Sequence, residues 1–364
     1  MLKLGFGLMR LPKLEDGSID IPQTADMVDL FMEAGGTYFD TAFAYPGSEE
    51  AIKKALVERY PRDSYTLASK LMCNDMIKDE ETAKAEFATT LERTGAGYID
   101  YYLLHALQRS NYKKYDEFHI WDYVKELKEQ GLVKNYGFSF HGDPELLKEL
   151  LEAHQDVDFV QLQINYADWN HPGVNSRECL EICRKYGKPV SIMEPVKGGI
   201  LADPIDPVKK IFDRENNGLS YTSWAMRFAA SLEGVFVVLS GMSSLEQMKD
   251  NLSYMKDFKP LSEHEEEVIK EVQKALEDDK SIACTGCHYC TGGCPMGIPI
   301  PDIFTVENRK KGSPEFRTKR EYLIVTTGKG RASDCISCGQ CESACPQHLP
   351  IMWLLEKARE LEEN

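Results

Sequence analysis

From residue 1 to about 258 the chain alternates short apolar runs with longer stretches whose apolar residues recur at helical spacing. The runs at 4–9, 38–42, 65–71, 99–105, 133–140, 159–165, 189–195 and 234–242 are nearly continuous in Val, Ile, Leu, Tyr and Phe. That is the pattern of strands covered on both faces. Amphipathic stretches lie between them at 24–34, 49–59, 80–94, 116–130, 145–153, 176–186, 220–230 and 245–255. Eight strand–helix units in this length predict an α/β fold of the (β/α)8 barrel type. An open doubly wound sheet is the competing arrangement, but no G-x-G-x-x-G follows an early strand. Ser48 in Pro46-Gly47-Ser48-Glu49-Glu50 reads as the N-cap of the helix after the second strand.

The pattern changes beyond residue 258. A turn at 259–262 opens an acidic helical stretch, 263–280, in which Ser262 and Glu265 have capping-box spacing. From Cys284 to Pro350 the chain is rich in Cys, Gly and Pro, with a basic insertion at 309–320 and a closing amphipathic helix at 351–363.

Composition narrows the function class. A net charge of −16 argues against a general nucleic-acid binder. No apolar run reaches membrane-spanning length, and the first residues read as a strand and not an export signal, so a cytoplasmic protein is expected. In such a reducing compartment eleven cysteines point to metal or redox chemistry over disulfides.

Eight of those cysteines form one motif twice. Cys284, Cys287, Cys290 and Cys294-Pro295 have the spacing C-x2-C-x2-C-x3-C-P, and Cys335, Cys338, Cys341 and Cys345-Pro346 repeat it. Three thiolates from one tight loop can grip three corners of an iron–sulfur cubane, and the fourth can reach across. Two structural zinc sites are the alternative, but these usually take their ligands as two separated pairs. The motif resembles bacterial two-cluster ferredoxins. That resemblance implies two [4Fe-4S] clusters, one on Cys284, Cys287, Cys290 and Cys345, the other on Cys335, Cys338, Cys341 and Cys294. Three segments are therefore expected: a barrel at 1–258, a helical connector at 259–280 and a small ferredoxin-like α-helical domain at 281–364. Cys73, Cys179 and Cys183 fit no cluster and receive no role.

Four residues at successive strand ends carry the second chemistry. Asp40 and Tyr45 follow the second strand, Lys70 ends the third and His105 ends the fourth. In a barrel these ends share one rim. A tyrosine of unperturbed pKa roughly 10 donates protons poorly near neutrality. A neighbouring ammonium favours the phenolate and lowers that pKa. Asp40 would hold Lys70, and His105 would donate a hydrogen bond to a carbonyl oxygen. Singly, each has a plain reading as a cap, a solvated charge or a buried polar group. Together they suit protonation of an oxyanion formed as hydride arrives.

The run Phe39-Asp40-Thr41-Ala42-x-x-Tyr45, with Ser69-Lys70, Leu104-His105 and the opening Leu4-Gly5-Phe6-Gly7-x-Met9-Arg10, resembles the aldo-keto reductases, in particular their iron–sulfur-bearing branch. The resemblance implies NADP or NAD bound to a (β/α)8 barrel. Tyr45 would be the general acid, Lys70 and Asp40 the partners that set its pKa, and His105 the carbonyl orienter. It places Ser139 and Gln161 on the nicotinamide carboxamide and Met193 where many members stack an aromatic ring. Gly7 and Pro195 belong to the same cofactor set, and Gly241, Ser243, Gln247 and Asn251 would grip pyrophosphate and adenosine. Many members carry Lys or Arg at or near Ser243 to meet the extra phosphate of NADP, so NAD stays open. The implied reaction is reduction of a small-molecule aldehyde, ketone or quinone. The alternative is an electron-transfer module that links the clusters to a flavin or nicotinamide in the barrel. Met9, Phe43, Trp121, Tyr166 and Trp169 are candidate pocket walls. Arg309, Lys310, Lys311, Arg317, Lys319 and Arg320 form either a solvated loop or a dock for an acidic carrier such as a ferredoxin or flavodoxin.

Overall fold

The computed structural model describes residues 2–73, 77–216, 218–310 and 313–362; Lys311 and Glu363, which entered the readings above, lie outside them. The chain divides into two compact units. One takes the chain to Val196 and then Leu201–Gln273, the other Lys197–Ile200 and the chain from Lys274. Among the described residues no helix is long and apolar enough to cross a membrane.

In the first unit, parallel strands β1 (Leu4–Gly7), β2 (Tyr38–Asp40), β3 (Thr66–Leu71), β4 (Ile99–Leu107), β5 (Val133–Phe140), β6 (Phe159–Gln163), β7 (Val190–Met193) and β8 (Val235–Ser240) close into a barrel in sequence order. The connections and the segment after β8 carry α1 (Ile21–Glu33), α2 (Ser48–Ile52), α3 (Glu80–Thr94), α4 (Tyr112–Glu117), α5 (Ile120–Glu129), α6 (Pro144–Ala153), α7 (Ser176–Lys185), α8 (Asp206–Glu215), α9 (Tyr221–Ser231), α10 (Leu245–Met255) and α11 (Glu263–Glu277).

Alternation along the strands positions the site. Side chains two apart share a face. One inward level is an apolar plug of Tyr38, Ala68, Leu103, Phe159, Val237 and Leu239, with Tyr101 and Phe236 packed against it. Tyr101 stands edge-on to Phe159 at 5.0 Å between ring centroids and stacks on Phe236 at 5.7 Å. Two residues further along β2, β3, β4 and β6 stand Asp40, Lys70, His105 and Gln161, all buried. The barrel interior thus changes from aromatic to polar in a single step, at the C-terminal ends of its strands.

The elements differ from expectation where local geometry intervenes. The helix expected over 49–59 is α2 followed by a π-helical turn, Lys53–Val57. The stretch 116–130 is two helices, split at His119, whose φ is 49°. β4 runs on to Leu107 through Ala106 at φ 56°, with a register shift against β5. Helix α8, with buried Val208, Ile211 and Phe212 at helical spacing, was not anticipated because it falls outside the eight-fold count. Ser48 does not cap α2: Gly47 occupies that place at φ 72°. The buried Ser48 hydroxyl instead donates to the Leu8 carbonyl (3.0 Å) and shares a hydrogen bond with Thr41 Oγ1 (2.7 Å).

The capping box of α11 is present: Ser262 N donates to Glu265 Oε2 at 2.9 Å and Glu265 N to Ser262 Oγ at 3.3 Å. Arg227 on α9 grips the same carboxylate with both nitrogens, at 2.6 and 2.9 Å. The acidic stretch read as a connector is therefore held by the first unit as far as Gln273.

The second unit is two copies of one plan. Short helices α12 (Tyr289–Gly292) and α15 (Gln340–Ser343) follow the first cysteines, and α13 (Ile300–Arg309) and α16 (Ile351–Ala358) start after Pro299 and Pro350. Between the copies lies α14 (Glu315–Thr326). Left-handed residues recur at equivalent positions: Gly286, His288 and Gly297 in the first copy, Ser337, Gly339 and His348 in the second. Three of the six are not glycine, a conformation that costs roughly 1 kcal/mol or more each. Both copies share one core, in which Ile300, Phe304, Ile351 and Leu355 pack with Cys290, Cys341 and Cys345.

One position tests the barrel's packing. A Cβ on Gly137 would lie 2.2 Å from the Phe159 carbonyl oxygen on the neighbouring strand. Gly137→Ala should destabilise the barrel by about 2 kcal/mol or more and lower its melting temperature by about 5 °C. Thermal unfolding followed by near-ultraviolet circular dichroism checks this.

Candidate active site and cysteine cavities

Lys70 is fully buried, and its ammonium donates to Asp40 Oδ1 at 2.5 Å and to the Thr41 carbonyl at 2.7 Å. Burial pushes the lysine pKa down, and Asp40 partly offsets that. For Asp40 burial pushes the carboxyl up, against the pull of Lys70 and Gln161. Gln161 Nε2 lies 3.5 Å from Asp40 Oδ2, so each carboxylate oxygen has a donor.

Tyr45 sits half-buried on the loop after β2. The Lys70 ammonium is 5.1 Å from its ring centroid, and the His105 ring meets it edge-on at 5.6 Å. His105 is buried, and desolvation, then the charges of Lys70 and His141, hold its pKa well below the ordinary histidine value. It is a neutral imidazole, able to donate one hydrogen bond and not a formal charge.

The loop that carries Tyr45 is tied at several points. Thr41 N donates to Ala68 O (2.9 Å) and Phe43 N to Lys70 O (3.2 Å). Buried Glu49 accepts from Ser69 Oγ and Thr90 Oγ1, both at 2.8 Å. Arg93 on α3 pairs with the same carboxylate at 3.5 Å and covers the Phe43 ring at 4.6 Å. These partners lie 20 to 50 residues apart in sequence, and no local pattern announces them.

Of the expected cofactor residues, Gly7, Ser139, Gln161, Met193 and Pro195 lie near strand ends along the same rim, whereas Gln247 and Asn251 lie on α10. Ser139 is buried and its hydroxyl accepts from Ala106 N at 2.7 Å, next to His105. Gly7 is opposite Asp40, and Met193 is opposite Gln163. Pro195 is buried just beyond Met193. After β8, Gly241 is exposed, while Ser243 Oγ donates to the Arg10 carbonyl (2.6 Å) and Ser243 N to Gln247 Oε1 (2.7 Å). Asn251 Nδ2 donates to Gln247 O at 3.0 Å. A buried polar cluster that sequence reasoning missed lies after β6: Asp168 Oδ2 accepts from Asn165 Nδ2 (2.9 Å) and Gln163 Nε2 (3.1 Å).

Several candidate pocket walls belong to packing instead. Trp121 lies in the layer outside the strands, stacked on His154 at 3.7 Å. Tyr166 is fully buried between Phe212 and Phe228, and Trp169 packs edge-on to Phe228. Phe43 and Met9 remain partly exposed. Cys73, Cys179 and Cys183 are core residues, and burial pushes the first two thiols up to about 12.

In the second unit the motif cysteines surround two cavities. One is lined by Cys284, Cys287, Cys290 and Cys345; the other by Cys294, Cys335, Cys338 and Cys341. Each takes three cysteines from one motif and the last from the other. Apolar side chains, Ile300 in both, complete the walls. Among the described residues no group of three or more His, Cys, Asp or Glu forms a site for a single metal ion. Four cysteines spread around a cavity suit the corners of a cubane. Burial raises the thiols of Cys284, Cys290 and Cys345, and that of Cys341 to about 11. Holding them as thiolates therefore calls for bound positive charge. Backbone N–H groups of Gln347, His348 and Leu349 are directed at Cys345.

Comparison with known proteins agrees with both halves. The model of the aldo/keto reductase family matches residues 3–274, and that of the 4Fe-4S dicluster domain matches residues 283–349. An aldo-keto reductase of Mycolicibacterium smegmatis is 29% identical over 205 residues, which cover 56% of this chain and 67% of that protein. The 9,11-endoperoxide prostaglandin H2 reductase of Trypanosoma cruzi is 26% identical over 298 residues, covering 80% and 94%. Among solved structures, the holo form of an aldo-keto reductase from Bacillus halodurans superposes with a TM-score of 0.61 at 25% identity, covering 74% of this chain and 91% of that one. A Klebsiella pneumoniae aldo-keto reductase in complex with NADPH has the same fold, with a TM-score of 0.58 at 19% identity and coverage of 76% and 92%.

The Asp40–Lys70 pair gives a direct test. Asp40→Asn leaves a buried ammonium without its counter-charge and should cost about 3 kcal/mol of barrel stability. Adding Lys70→Met should recover part of that loss. Additive losses in the two melting curves would show that the pair is not coupled.

Proposed function

The chain belongs to the aldo/keto reductase family and carries a C-terminal 4Fe-4S dicluster domain, and from that premise we propose that its barrel reduces a small-molecule carbonyl, with Tyr45 as the general acid. It is an NAD(P)-dependent oxidoreductase of the aldo-keto reductase type. The bound nicotinamide supplies the hydride. Gly7, Ser139, Gln161, Met193, Pro195, Gly241, Ser243, Gln247 and Asn251 are the residues proposed to hold the cofactor. With Ser243 where many members carry a cation for the extra phosphate of NADP, this reading admits NADH beside NADPH.

The observation that carries the proposal is the Lys70 ammonium, bonded to Asp40 and Thr41 O and facing the Tyr45 ring. Its charge favours the phenolate that Tyr45 becomes once its proton has gone to the substrate oxygen. Neutral His105 donates a hydrogen bond to that oxygen and fixes which side of the carbonyl faces the hydride. Asp40 keeps Lys70 charged in a site that would otherwise discharge it. Since Lys70 is depressed by burial, this support is present at low pH and is lost as pH rises through the lysine's lowered pKa. The two cysteine cavities would hold the clusters, and eight cysteine ligands of this kind suit a reducing cytoplasm.

Two experiments test these assignments. Tyr45→Phe should lower carbonyl turnover about 10³-fold while nicotinamide binding, followed by fluorescence titration, stays nearly unchanged; near-normal turnover would remove Tyr45 from the acid role. For the clusters, Cys345→Ala should abolish the same electron paramagnetic resonance component as Cys287→Ala. Cys294→Ala should instead match Cys338→Ala. A match of Cys345→Ala with Cys338→Ala would overturn the crossed ligation.

A further inference from the structure

The two cysteine cavities share a plan, but their rims are built with opposite chemistry. Equivalent positions follow from the repeat: Thr285 corresponds to Ile336, each directly after its motif's first cysteine, and Met296 corresponds to Gln347, each directly after the Cys-Pro pair. Around the first cavity these places hold polar residues that are buried, Thr285 at 5% and Gln347 at 6% exposure. Around the second they hold apolar residues that face water, Ile336 at 61% and Met296 at 39%. Cys338, which lines the second cavity, is itself exposed, whereas its equivalent Cys287 is half-buried. The first rim is covered from within its own unit: a Cβ on Gly198 would lie 2.5 Å from the Thr285 carbonyl oxygen.

Burial of polar groups and exposure of apolar ones reverses the usual hydrophobic preference. An apolar rim in water costs free energy that only contact with another apolar surface recovers. Here the rim surrounds a cysteine of the second cavity. A partner seated on it is brought against that site. We propose that Ile336 and Met296 form the docking rim of an electron port: a one-electron carrier protein seats there and exchanges one electron with the cluster held by Cys294, Cys335, Cys338 and Cys341. The carrier is oxidised by one electron as the cluster is reduced by one, with no bond made or broken and no proton moved.

Two other surfaces are weaker docks. The basic stretch is largely paired on the spot: Arg309 with Glu321 (3.1 Å), Lys310 with Glu307 (3.0 Å) and Glu360 (3.3 Å), and Lys319 with Glu315 (2.8 Å). The apolar ridge of α14, Phe316, Leu323 and Ile324, is exposed but lines neither cavity.

The inference rests on cluster loading and not on carbonyl chemistry. Its test exchanges each rim residue for the one the other copy carries beside its own site, Ile336→Thr with Met296→Gln. Full-length protein with verified iron content is mixed, in stopped flow, with a pre-reduced bacterial-type ferredoxin, and cluster bleaching is followed. The double variant should react at least about tenfold more slowly. Its bleaching by dithionite, which needs no docking surface, should be unchanged, so that the loss is confined to reduction by the protein carrier. Ile336→Leu should retain the wild-type rate. Because the chain carries a net charge of −16, the rate with this acidic carrier should hold steady or rise with added salt. Four results would overturn the proposal: wild-type protein that the ferredoxin does not reduce, an unaffected double variant, a rate that falls with salt, or an equal loss in Phe316→Ser. Self-association in sedimentation that the double variant abolishes would reassign the rim to a contact between two copies.

Discussion

A buried ammonium is the constraint on which the barrel's chemistry depends. Desolvation alone would discharge Lys70, and the structure opposes this with a carboxylate, a backbone carbonyl and a glutamine that holds the carboxylate's other oxygen. Those groups can meet only if β2, β3 and β6 end at one level inside a closed barrel. The apolar plug beneath sets that level. Tyr38, Ala68 and Phe159 fill the interior two residues before Asp40, Lys70 and Gln161, so the pair stands on an apolar floor. The same low dielectric keeps His105 neutral and makes the Lys70 charge effective at the Tyr45 ring.

The second unit depends on a different constraint, backbone reversal. Placing three cysteines of a short loop around one cavity requires the chain to turn inward between them, and left-handed residues at equivalent positions of both copies accomplish this. Glycine takes three of these places. His288, Ser337 and His348 adopt the same conformation against residue preference.

The parts of this architecture that depend on local pattern were readable from sequence. Eight apolar runs gave eight strands, and the cysteine spacing gave two cavities with their members in the anticipated groups. Asp40, Lys70 and His105 could be placed on one rim because each lies within two residues of the end of a recognisable strand. What escaped depends on distant partners or on single backbone angles. His119 at φ 49° divides a helix that periodicity alone would continue. Ser48 looks like a cap until Leu8, forty residues earlier, claims its hydroxyl. Trp121 and Tyr166 have the composition of pocket walls, but helix packing turned them into the core. Gln161 was assigned to a cofactor by resemblance, and its hydrogen bond to Asp40 joins residues 121 apart. No window of sequence contains that distance.

The interleaving of the two motifs has a consequence for folding. Neither copy owns a core: Cys290 from the first and Cys341 and Cys345 from the second lie in one apolar cluster with Phe304 and Leu355. With the proposed ligation, each cluster is also tied to both copies. Metal binding to thiolates that burial otherwise keeps protonated is then folding energy for the whole unit. On that ligation, loss of either cluster would remove a cross-link between the copies and weaken the core they share, even though their rims face different surroundings. Asymmetry in access is therefore compatible with symmetry in construction: the shared core fixes the cavities, and only the residues just outside them are free to diverge.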